Sequence, residues 1–227
     1  MLPIIKLIRL PLLLAAVALS QPVMAQAPAA APASPDAAAP AAPTVADPEN
    51  ILHLDLSSGG RVSIALYADV APKHVERIKI LARRGFYNGI VFHRVIEGFM
   101  AQTGDPKGTG EGESDLPDLK AEFNPTPHLR GTVSMARTEE PDSANSQFFI
   151  VFLPRLGLDN KYTVFGRVIS GMQFVDAIQK GEPPVNPDRI LQASIGSDNK
   201  PAPNFPSAAP VAPAPRPEIS VDDLNGN

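Results

Sequence analysis

The sequence predicts an all-β-dominated domain, an antiparallel barrel or sandwich of eight strands with two helices. Three observations point there. Eight apolar runs of strand length lie between residues 51 and 195, each bounded by Gly, Pro, Asn or Asp. The first two alternate with a period of two about a Ser-Ser-Gly-Gly turn, as a hairpin does. Only two stretches carry apolar residues at helical spacing, too few for a doubly wound sheet.

The first strand is expected over 51–56, with Leu52, Leu54 and Leu56 on one face and His53 and Asp55 on the other. The second spans 61–67, with Val62, Ile64 and Leu66 together. Val75, Ile78, Leu81 and Ala82 then predict a helix over 73–84, ending before Gly85. Its other face carries Lys73, Arg77, Arg83 and Arg84 and reads as solvated. Further strands are expected over 90–95, 99–103, 132–136, 147–152, 163–168 and 190–195. Met172, Val175 and Ile178 predict a second helix over 172–179. The connections 104–127 and 138–146 are long, and long loops in a compact domain often carry function.

Outside residues 51–198 the composition changes. Residues 1–25 carry Lys6 and Arg9, an apolar run over 10–19, and Val23-Met24-Ala25. That order reads as a secretory signal peptide cut after Ala25. The alternative is an uncleaved anchor, but the run is shorter than the roughly 20 residues of a spanning helix, and Pro11 and Pro22 flank it. Residues 26–50 are mostly Ala and Pro and read as a disordered linker. Residues 199–227 read as a Pro-rich disordered tail with an acidic, polar end.

The whole chain has 20 Lys and Arg against 24 Asp and Glu, and the central domain is close to neutral. Nothing there suggests a nucleic-acid surface. The absence of Cys excludes thiol chemistry, disulfides and Cys-type zinc sites. There is no HExxH or GxSxG string, and His53, His74, His93 and His128 lack ligand spacing. Gly104, Gly108, Gly110 and Gly112 form a glycine-rich stretch with no Lys-Ser/Thr after it, so it reads as a flexible loop and not a phosphate cradle.

What remains is an Arg and two Gln set among large apolar residues. Alternation places Arg94 on a face with Phe92 and Ile90, Met100 with Gln102, and Gln147 with Phe149 and Val151. Such a set can bind a polar backbone in an apolar cleft. An Arg paired with a carboxylate at a barrel rim fits the spacing equally well.

The string Phe92-His93-Arg94-Val95-Ile96-x-Gly98-Phe99-Met100-x-Gln102-x-Gly104-Asp105 resembles the signature of the cyclophilins. So do Ser134-Met135-Ala136-Arg137, Asn145-Ser146-Gln147-Phe148-Phe149-Ile150 and Leu158-Asp159-x-Lys161-Tyr162-x-Val164-Phe165-Gly166 leading to Gly171-Met172. The blocks occur in family order and cover nearly all of residues 51–195. The resemblance implies a closed eight-stranded antiparallel barrel capped by two helices. It implies a peptidyl-prolyl cis-trans isomerase, or rotamase, acting in protein folding without metal, nucleotide or covalent intermediate.

The resemblance also implies residue roles. Arg94 would be catalytic, with Gln102 bonding substrate backbone and orienting it. Phe99, Met100, Phe149 and Leu158 would line a proline pocket. Backbone at Ala136, Arg137 and Thr138 would pair with the residue before proline, and Gln147 and Tyr162 would complete the wall. His93 would face away. Where the family often has Trp or another large ring before the Leu-Asp pair, this chain has Gly157, which implies weak cyclosporin binding. Tyr162 stands where a related pattern carries His, and still offers a ring and a hydroxyl. Both departures resemble bacterial members. With the leader, they imply a periplasmic protein whose partners are proline-containing polypeptides, unfolded or partly folded exported proteins. No long heptad or apolar stripe argues for assembly, so a monomer is expected. Membrane contact is expected only if the leader is uncleaved. A non-catalytic peptide-binding module is the competing reading, and a structural envelope protein a third.

Overall fold

The computed structural model describes residues 47–205. The expected leader, most of the expected linker and most of the tail lie outside the described residues.

The described chain runs β1 (Ile51–Leu56), β2 (Gly60–Leu66), α1 (Pro72–Arg83), β3 (Arg94–Ile96), β4 (Met100–Thr103), β5 (Thr132–Met135), β6 (Phe148–Val151), β7 (Val164–Ser170), α2 (Met172–Asp176) and β8 (Ile190–Ile195). All eight strands form one antiparallel sheet in the order β3-β4-β6-β5-β7-β2-β1-β8. The sheet curls, but its edge strands β3 and β8 share no ladder. A Val91–Arg189 bridge and the bonds Phe92 N–H to Asp188 O and Gly89 N–H to Ile190 O join the two edges. The closed barrel expected from the sequence is thus a curled half-barrel with an irregular seam.

That seam explains one shortened element. The run 90–95 yields a strand only from Arg94, because the backbone of residues 91 and 92 is spent on the opposite edge. The alternation breaks there too. Phe92 and Ile90 pack in the main core, whereas Arg94 faces outward, so the expected shared face of these three residues does not exist.

Leu52, Leu54, Leu56, Val62, Ile64 and Leu66 fill the interior from the first hairpin. Val75, Ile78, Leu81 and Ala82 of α1 join them from one side, and Val175 and Ile178 from the α2 region. α1 keeps its predicted length, but Arg77 is buried and donates to Pro117 O at 2.6 Å, so that face is not uniformly solvated. α2 stops early because Gln179 N–H donates to the Asp188 carboxylate instead of continuing the helix.

The domain extends past Ile51. Pro48–Asn50 form a 3-10 turn beside a second one, Gly196–Asp198. Arg83 holds both, at 2.7 Å from Glu49 and 3.1 Å from Asp198. Lys200 O and Pro201 O accept hydrogen bonds from Arg61 and Gln192, so the first residues of the expected tail lie on the sheet.

Candidate active site

Strands β4, β5 and β6 are buried on both faces. In β6, Phe148 and Ile150 enter the main core, while Phe149 and Val151 point the other way. In β4, Ala101 goes inward and Met100 outward. The outward residues form a second apolar cluster with Ile96, Phe99, Ala136, Leu158 and Tyr162. Period-two alternation in two-sided strands therefore builds a cleft floor on the back of the core.

The turn after β3 sets one wall. Gly98 takes a φ of 64°, a left-handed conformation that glycine adopts without Cβ strain, and Phe99 follows it. Arg155 lays its guanidinium over the Phe99 ring at 5.2 Å. On the far wall, the Phe149 and Tyr162 rings meet edge to face at 5.7 Å. Arg137 lies 4.8 Å from the centre of the Tyr162 ring and donates to Lys161 O, Thr138 O and Glu139 O. Behind Phe149, the His128 ring stacks at 6.2 Å and bridges Asp159 at 2.8 Å and Ser134 at 3.0 Å. Ser134 is fully buried, so this Ser-His-Asp chain supports the floor and offers no nucleophile.

Between these walls lies a cavity of about 130 Å³ lined by Arg94, Phe99, Met100, Gln102, Ala136, Arg137, Phe149, Leu158 and Tyr162. A neighbouring depression of about 140 Å³ shares Gln102, Ala136 and Arg137 and adds Thr138, Gln147, Glu111 and Glu113. All eleven residues singled out in the sequence thus line one of two adjoining pockets.

The polar connections differ from expectation. Arg94 and Gln102 are register partners across β3 and β4, yet Gln102 does not hold the guanidinium. Its amide donates to Gln147 Oε1 at 2.9 Å, and Gln147 donates to Gly110 O and Gly112 O. Arg94 Nε instead donates to Glu182 Oε2 at 2.7 Å. The two sequence readings of Arg94 meet here, since it lines an apolar cleft and pairs with a carboxylate. The N–H groups of Ala136 and Thr138 are taken internally, by Gln147 O and Ser143 Oγ. The N–H and C=O of Arg137 have no partner among the described residues. The backbone open to a ligand is thus narrower than the three residues expected.

The glycine-rich loop wraps around Asp105, which accepts from the N–H groups of Lys107, Thr109 and Gly110 at 2.6–2.8 Å. Burial opposes ionisation of Asp105, but these bonds outweigh it and hold the carboxyl at about 2. A Cβ on Gly112 would collide with the same carboxylate. The loop's donors are occupied, so it is pinned rather than free. His93 is buried on its inner side, with neither ring nitrogen partnered, and burial lowers its pKa.

Glu182 and Arg155 carried no signal in the sequence. Both sit in irregular segments, where neither periodicity nor spacing singles out a charged residue. A neighbouring proline run, Pro183-Pro184, marks only a chain that cannot continue a helix.

Known proteins resemble this chain in sequence and fold. The profile of the family described as cyclophilin type peptidyl-prolyl cis-trans isomerase/CLD matches residues 51–195. A probable peptidyl-prolyl cis-trans isomerase of Brucella suis is 51% identical over 171 residues, covering 68% of this chain and 87% of the relative. The crystal structure of cyclophilin AquaCyp293 from Hirschia baltica superposes with a TM-score of 0.63 at 32% identity, over 68% of this chain and 77% of that one. A Cryptosporidium parvum cyclophilin type isomerase, crystallised in the presence of the dipeptide Ala-Pro, gives a TM-score of 0.60 at 28% identity, over 64% and 98%. Fold and sequence agree, and the chain belongs to the cyclophilin-type peptidyl-prolyl cis-trans isomerases.

Proposed function

We propose that this isomerase assists the folding of exported proteins, and that Arg94 carries its catalysis. The observation behind the second half is Arg94 opening on an apolar slot beside Phe99, Met100, Phe149 and Leu158, with its terminal nitrogens unpartnered among the described residues. The other cation of the lining, Arg137, is committed to three carbonyls. Twisting an X-Pro bond breaks amide resonance, with a barrier near 18–20 kcal/mol. The twisted nitrogen regains its lone pair, and a guanidinium donor there favours that state over both planar isomers. Lowering the barrier by about 7 kcal/mol accelerates exchange roughly 10⁵-fold.

In this reading the apolar slot takes the pyrrolidine ring, and Gln102 and the free backbone groups of Arg137 take the peptide backbone. The ligands are proline-containing polypeptides, a reading supported by the Ala-Pro dipeptide present with the Cryptosporidium relative. The export half rests on the composition of residues 1–25 and predicts a periplasmic protein.

The test is cis-trans exchange of an Ala-Pro-Phe peptide with residues 26–227, beside Arg94→Ala. We expect fast exchange by the parent and a loss of about 10²–10³-fold in the folded variant. A folded Arg94→Ala of unchanged activity would refute the role of Arg94. A folded parent without activity would turn the proposal toward a peptide-binding module. Fractionation of cells producing the full chain tests export, since recovery in the cytoplasm would overturn it.

A further inference from the structure

We propose that Glu182 is a positioning residue for the isomerisation, holding the Arg94 guanidinium by its Nε edge so that the terminal nitrogens serve the proline slot. The inference rests on the catalytic reading of Arg94. Its foundation is the 2.7 Å hydrogen bond from Arg94 Nε to Glu182 Oε2, while Nη1 and Nη2 have no partner among the described residues.

The contact is built from both sides. Arg94 opens β3, and the next residue, Val95, exchanges two backbone hydrogen bonds with Gly181, at 2.8 and 2.9 Å. Glu182 follows directly, so its Cα is fixed against the strand that carries Arg94. Gly181 has no room for a side chain, since a Cβ would lie 2.6 Å from Pro184 Cα. On the other flank Lys180 donates to Asp176 O and Ile178 O and lies 4.5 Å over the Phe152 ring. The segment bearing Glu182 is therefore anchored before and at its base.

Stability does not account for the pair. Both side chains are about half exposed, at 43% and 50%, and ion pairs in water contribute little to folding. Its effect is geometric. An arginine side chain has several rotatable bonds, and a donor that must meet the nitrogen only in the twisted state gains from being held there beforehand. The residue opposite Arg94 in the ladder, Gln102, is committed to Gln147. Glu182 does what Gln102 does not.

The experiment uses residues 26–227 with Glu182→Ala, Glu182→Gln, Arg94→Ala and the Arg94→Ala/Glu182→Ala double variant. Exchange of the Ala-Pro-Phe peptide is measured by NMR below and above saturation, to separate kcat from KM. Glu182→Ala should lower kcat about tenfold with little change in KM or in the unfolding midpoint. Glu182→Gln keeps an acceptor for Nε and should recover most of that loss. The double variant should match Arg94→Ala, because the carboxylate acts through the guanidinium. The Arg94 Nε–H resonance should lose its protection from exchange in Glu182→Ala. A Glu182→Ala with the parent's kcat, a Glu182→Gln as slow as Glu182→Ala, or a double variant slower than Arg94→Ala would each overturn the proposal. A fully active Arg94→Ala would instead remove the reading on which it rests.

Discussion

Gly157 stands where the resemblance to cyclophilins leads us to expect a large ring. Arg155, two positions earlier, lies over the Phe99 ring at 5.2 Å. A Cβ built on Gly157 meets nothing within 4 Å, so a side chain can leave the backbone there without a clash at its first atom. Gly157→Trp is expected to tighten cyclosporin binding about tenfold, equivalent to about 1.4 kcal/mol. The chain contains no other Trp, so the new indole reports binding by its own fluorescence. Unchanged affinity would mean that the ring is not what limits binding. The same neighbourhood shows what was legible at this scale. Met100, Gln102 and Phe149 lie in strands whose alternation fixes which way each points, whereas Phe99 sits in the turn before β4 and joins them through Gly98. The partner of Arg94 was hidden, because Glu182 comes from a segment 88 residues away with no period to read. The partner of Gln102 was hidden for the same reason, since amide against amide depends on rotamers and not on spacing.

Helix α1 begins without a side-chain cap, for Ala71 occupies its N-cap and Pro72 its first position. The carboxylate of Glu122 arrives from a distant loop and accepts from the N–H groups of Lys73 and His74 and from His74 Nδ1. It meets both the orphan donors and the positive end of the helix. Glu122→Ala removes a cap and leaves a buried imidazole N–H unpaired. A loss of about 2 kcal/mol in chemical denaturation is expected, with isomerase activity kept in the folded fraction. A variant as stable as the parent would show the helix start to be self-sufficient. Elements with a strong period were legible: α1 falls within one residue of its expected span, and β8 matches 190–195. The seam at residues 90–93 was not, because its hydrogen bonds run to residues about a hundred positions away. Arg77 was misread as solvated because two loop carbonyls, not its own helix, decide its burial.

At the scale of the whole described domain, the histidines and carboxylates with shifted pKa values lean one way. Burial lowers the pKa of His53, His74 and His93 below the ordinary 6.5. Each is harder to protonate folded than unfolded, so its contribution is complete above pH 6.5 and is lost as pH falls through the lowered value. Hydrogen bonds outweigh burial at Asp105 and Glu122 and lower both, while Arg83 holds Glu49 at about 2. Those contributions are present above the ordinary carboxylate range and are lost below it. Thermal unfolding should therefore hold level between about pH 7 and 9, decline first below about 6.5, and fall again below about 4.5. His93→Leu should flatten the first decline, and an unaltered slope would show His93 to be uninvolved. Architecture at this scale was largely legible, since eight strands and two helices follow from local patterning, whereas the incomplete closure depends on how the two edges meet. The turns at Pro48–Asn50 and Gly196–Asp198 sit side by side under Arg83. A domain whose entrance and exit share one doorstep can be threaded into a longer polymer like a bead on a loop. Tension along that polymer would fall first on Arg83 and its two carboxylates, and then on the Leu52–Ile195 end of the β1–β8 ladder, far from the cleft on β4 and β6.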